Sequence, residues 1–149
     1  MSNWIAITEA RIKSAKLSIL LESVQATAAA KEEQDPLPLY IAEVVARIRT
    51  AVAQGNALDA DTTKIPASLE GLAVRMITRR LKDYCELPLT QDERDQAAED
   101  RSYLNRITDV PLRFESPDDP IESGVASAGG IEAIDVPARL TGRGRTSGL

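Results

Sequence analysis

The sequence predicts an all-α protein, a small five-helix bundle followed by an extended C-terminal arm. Three observations predict it. Apolar residues recur at helical spacing through most of the first 113 residues. Hydrophobic residues make up 43% of the chain but aromatics only 3%, so the core is aliphatic, a composition that favours helix over sheet. After Phe114 the chain turns rich in Gly, Ser and Pro while keeping scattered apolar residues. That mixture marks residues 114–149 as an arm that orders on a partner, and residues 1–113 as the helical domain. At 149 residues one core suffices, because a chain of this size buries roughly 68–70% of its unfolded surface.

Each element has its own signal. Thr8 is placed to cap a first helix, with Ile7 and Ile12 at the two positions of a hydrophobic staple. Trp4 and Ile5, just upstream, are expected to pin the N-terminus to the body. A second helix runs from Ser18 to about Lys31 with Leu17, Leu20, Leu21, Val24 and Ala28 on one face, and Pro36 and Pro38 end that stretch. The third helix is the most regular: Ile41, Val44, Val45, Ile48, Ala51 and Val52 follow the i, i+3, i+4, i+7 pattern. Glu43 and Arg47 are spaced as an i, i+4 ion pair on its outside, and Gly55 is placed to end it in a left-handed conformation.

A polar loop over residues 56–64 precedes Pro66, which suits the first turn of a fourth helix. Leu69, Leu72, Ala73, Met76, Ile77 and Tyr84 make its apolar stripe, with Val74 and Leu81 off it. A helix apolar on more than one side is central in its bundle or lies at a subunit contact. Thr90 and Glu93 match a capping box that opens a fifth helix, from Gln91 to about Val110, with Ala97, Leu104 and Ile107 inward. Negligible sheet is expected.

Composition also narrows function. A net charge of −5 argues against a free-standing duplex-DNA binder, which needs a basic face. With no histidine, the commonest general base and metal ligand are missing, and Cys85 has nothing to activate it. The carboxylates of residues 92–100 alternate with Arg94 and Arg101 and read as a solvated, salt-bridged face. The chain is therefore expected to be no enzyme, with no cofactor and no metal. The opening residues lack the basic and apolar regions of a signal peptide, and no apolar run approaches the ~20 residues of a membrane span. Two features stand out. Arg75, Arg79 and Lys82 form a basic stripe with Arg80 beside it, either a contact for an acidic partner or an ordinary wet face. The arm ends in Arg139, Arg143 and Arg145 after apolar Ile131, Ile134, Val136 and Leu140, a second candidate contact.

The segment Trp4-Ile5-Ala6-Ile7-Thr8-Glu9-Ala10 resembles the start of Mu-type tailed-phage head–tail connector (adaptor, or head completion) proteins. So does the order of parts that follows: Leu17-Ser18 at a helix entry, Asp35-Pro36-Leu37-Pro38 at a break, the helix of residues 41–49, and Ile65-Pro66-Ala67-Ser68-Leu69. The similarity covers about residues 2–110. It implies a helical subunit of a ring, usually of twelve copies, in the virion neck between head and tail, assembled in the host cytoplasm. The implied partners are further copies of the chain, the portal protein, the next neck or tail-terminator protein, and genomic DNA that passes through the lumen without sequence-specific binding; no membrane is involved. The long tail after Phe114 departs from that family's pattern. The alternatives are another neck or tail completion protein, or a small helical regulator that binds DNA through the fourth helix.

Overall fold

A computed structural model describes residues 2–14 and 17–121. Within them lie a short strand β1 (Trp4–Ala6) and helices α1 (Glu9–Ser14), α2 (Ser18–Ala30) and α3 (Leu37–Val52). A second strand β2 (Lys64–Pro66) and a 3-10 turn (Ala67–Leu69) lead into α4 (Glu70–Tyr84) and α5 (Gln91–Asp109). The molecule is a small bundle of five α-helices. Sheet is confined to one short pair that the sequence reading did not place: β1 pairs antiparallel with β2, Ile5 opposite Ile65 and Trp4 opposite Pro66. Strands of three residues leave no period to read, and the pair exists because Trp4 and Ile65 are both driven fully into the core.

α3 is the central element, packed on α4 and α5 and against β2. Its predicted stripe faces inward, with Val44, Val45, Ile48, Ala51 and Val52 buried. α4 buries Leu72, Ala73, Met76, Ile77 and also Leu81, which has no exposed surface although the sequence set it off the stripe. Leu81 stands four residues after Ile77, so it continues the same face. Pro66 ends β2 rather than opening α4, which starts four residues later behind the 3-10 turn. The capping box is present: Thr90 Oγ1 accepts from the Glu93 N–H at 3.2 Å and Glu93 Oε2 accepts from the Thr90 N–H at 2.8 Å.

Two helix ends use an unexpected residue. α2 and α4 close with left-handed Glu32 (φ 56°) and Glu86 (φ 57°). The N–H of the next residue reaches back in each case, Glu33 to the Ala28 carbonyl and Leu87 to the Lys82 carbonyl, completing Schellman caps. Gly55 is not left-handed, contrary to its expected role. It is small for another reason: a Cβ there would stand 2.4 Å from the Pro111 Cβ.

The largest revision concerns the boundary at residue 114. Beyond α5 the chain returns across the body, and residues 112–121 are a strap belonging to the fold. Asn56 receives it, its Nδ2 donating to the Leu112 carbonyl (2.6 Å) and its Oδ1 accepting from the Phe114 N–H (2.9 Å). Trp4 Nε1 donates to the Glu115 carbonyl at 2.7 Å. Ala60 N–H donates to the Asp119 carbonyl and Ile121 N–H to the Leu58 carbonyl, so the strap ends antiparallel to residues 58–60. The helical body therefore extends to Ile121.

Candidate functional site

The basic stripe of α4 is engaged within the chain. Arg75 makes a bidentate contact with Asp100 of α5, its Nη2 at 2.7 Å from Oδ1 and its Nε at 3.2 Å from Oδ2. Arg79 Nη2 donates to the other carboxylate oxygen at 2.7 Å. Asp100 is only 6% exposed. Burial pushes its carboxyl up, but the two guanidinium groups outweigh that and hold it below its ordinary value. The hydrogen bond to Asp100 in turn raises Arg75. Lys82 pairs with Glu93, which joins the stripe to the cap of α5; that lysine, with the Thr90 N–H, lowers the Glu93 carboxyl. Arg80 pairs with Glu43 of α3 and lies over the Tyr40 ring. Glu43 thus turns across helices instead of to Arg47, the partner its spacing suggested.

These contacts make a latch between α4 and α5, and they change how two sequence features read. Arg75, Arg79 and Lys82 spend their charge at home, leaving less for a partner. Asp100 is not part of a solvated face, because the inward turn of α5 that buries Leu104 and Ile107 also buries it.

Sequence reasoning missed a second buried polar centre. Arg49, 7% exposed, donates to the carbonyls of Asp59 (2.7 Å), Asp61 (3.0 Å) and Lys64 (2.7 Å) and lies over the Trp4 ring. Its signal was available: Arg49 sits four residues after Val45 and three before Val52, on the inward face. Asp59, 1% exposed, accepts from the N–H groups of Asp61, Asp118 and Asp119. Burial raises its carboxyl, and the backbone donors together with Lys64 bring it below the ordinary range. Arg49 and Asp59 together fasten the loop of residues 59–64 and the strap to the bundle.

Cys85 and Tyr84 also make contacts inside the body. Cys85 is half-buried and accepts a long hydrogen bond from Thr27 Oγ1. Tyr84 donates to Glu33 at 2.9 Å, and burial together with that carboxylate pushes its hydroxyl up to about 12. Among the described residues no group of three His, Cys, Asp or Glu is placed to hold a metal, and no helix is long and apolar enough to cross a membrane.

Two of the concavities on the described body border α3 and the latch. A cleft of about 290 Å³ between α3, α4 and α5 is lined by Arg47, Arg79, Arg80 and Arg101 as well as Asp83 and Asp100. A larger, apolar groove of about 520 Å³ runs along the first half of α3. Of the other expected contacts, Ile131, Ile134, Val136, Arg139, Leu140, Arg143 and Arg145 lie outside the described residues. No family model matches the chain, and neither does any curated protein or solved structure.

Proposed function

We propose that this chain is a structural subunit of a tailed-phage neck, one copy in a ring that joins the portal of the DNA-filled head to the tail and continues the DNA channel. The observation that carries the reading is the resemblance of residues 2–110 to Mu-type head–tail connectors. Its segments have coherent framework roles. The Trp4 segment supplies β1, residues 65–69 supply β2 and the turn into α4, and residues 41–49 line the core through α3. Asp35 holds the entry to α3, its Oδ1 accepting from the Leu37 N–H at 2.9 Å. A subunit of this kind needs a rigid body and no catalytic site. Its net charge of −5 suits a channel through which DNA slides without adhering, since like charges repel.

The alternative DNA-binding regulator draws little support from α4, because Arg75, Arg79 and Lys82 are paired with Asp100 and Glu93. The test is the chain's position in purified particles. Cross-linking mass spectrometry should join it to the portal and to the next neck protein, in a ring with the portal's symmetry. Absence from tailed particles, or cross-links to tail-tip proteins only, would overturn the reading.

A further inference from the structure

The apolar groove along α3 has a floor of Leu37 and Val45 and walls that include Ile41, Ala42, Ala46 and Ile7. Ala42 and Ala46 are exposed, and among the described residues that line the groove only Glu9 is charged, paired with Lys13 at 2.9 Å. Small side chains there leave the backbone of α3 open to close approach by another chain. We propose that this groove receives residues 131–140 of a second copy of the protein, so that copies join head to tail by passing on an arm.

Three observations select that occupant. The chain runs on for residues 122–149, and residues 131–140 concentrate Ile131, Ile134, Val136 and Leu140, the aliphatic content such a groove requires. The strap sets the direction of departure. Asp119 is bonded at Ala60 and Ile121 at Leu58, so the chain leaves toward the Leu58 end of that loop. Thr62 and Thr63, which edge the groove, lie past the other end, so residues 119–121 run away from that edge of their own groove. Residues 122–130 include three glycines and can span up to about 30 Å when extended, more than the ~13 Å radius of a domain near this size. A heterologous contact of this kind closes into a ring where the rotation between copies closes.

The inference names the contact between copies in the proposed ring and rests on that reading only for ring closure; the contact itself is testable on purified protein. Three full-length proteins are compared by sedimentation equilibrium: the wild type, a groove variant (Ala42→Glu with Ala46→Glu) and an arm variant (Ile131→Glu with Ile134→Glu). All four sites are exposed or outside the described body, and far-UV circular dichroism checks folding. The wild type should associate beyond dimers as concentration rises, and each variant alone should associate at least tenfold more weakly. Mixed one to one, the variants should form pairs and nothing larger, because a pair holds one working groove and one working arm. A wild type that stays monomeric, association unaffected by either variant, or a mixture that does not pair would each overturn the proposal. Particles lacking the chain would overturn the neck role without changing these results.

Discussion

Gly55 shows how one atom can constrain a fold. Its missing Cβ lets Pro111 approach closely enough for the chain leaving α5 to pass over the end of α3. Gly55→Ala should destabilise the protein by about 1–3 kcal/mol, the usual range for overpacking, as read by urea denaturation. Glu32 and Glu86 make the opposite case, since each occupies a left-handed conformation that disfavours a side chain. Glu32→Gly or Glu86→Gly should stabilise by about 0.5–1 kcal/mol, and Glu86 is the cleaner site because the residue after Glu32 also anchors Tyr84.

Asp59 and Asp100 link single residues to pH. Both carboxyls lie below their ordinary value of 3.8 in the folded protein. A depressed carboxyl contributes stability that is present above its unfolded pKa and is lost as pH falls through the folded value. Stability should therefore hold from neutral pH to about pH 5 and then fall below about pH 4. Urea midpoints at pH 7, 5 and 3 check this, and Asp59→Asn should flatten the acid limb.

At the scale of elements, the α4–α5 latch and the strap carry most of what is new. Asp100→Asn removes the charge that two guanidinium groups share, and should cost about 1–3 kcal/mol. Reversing Arg75, Arg79 and Lys82 to Glu should do more, because it sets like charges against Asp100 and Glu93. That triple variant should melt well below the wild type, so loss of assembly in it would report an unstable subunit rather than a lost contact. The strap makes an equally concrete demand. A chain ending at Phe114 loses the acceptor of Trp4 Nε1, two of the three backbone donors to Asp59, and the backbone bonds that join Asp119 to Ala60 and Ile121 to Leu58. With net hydrogen-bond contributions of about 1 kcal/mol each, it should be on the order of 5 kcal/mol less stable than a chain ending at Ile121. Equal urea midpoints would show that the strap only rests on the bundle.

For the whole molecule, the five helices share one core, and Trp4, the sole tryptophan, lies where sheet, strap and Arg49 meet. Tryptophan emission and helical ellipticity should therefore report a single coincident transition in urea. A fluorescence change that precedes loss of helix would make the strap and sheet a separate, weaker unit.

The sequence by itself determined the helices, because the amphipathic stripe of α3, the capping box at Thr90 and the breaks around Pro36 and Pro88 are local signals that depend on neighbours a few residues away. It also placed Trp4 in the body and Ile7 and Ile12 in the core. Only the tertiary structure decided the partners of Arg75, Arg79 and Lys82, the burial of Arg49 and Asp59, the β1–β2 pair and the return of residues 112–121. Each depends on contacts between residues from about ten to more than a hundred positions apart. Hydrophobic period says which face of a helix turns inward, but not which distant charge or carbonyl waits there. Helical period turns Asp100 inward with Leu104 and Ile107, but its burial is tolerated because two arginines of α4 neutralise it, and that compensation exists only once the two helices meet.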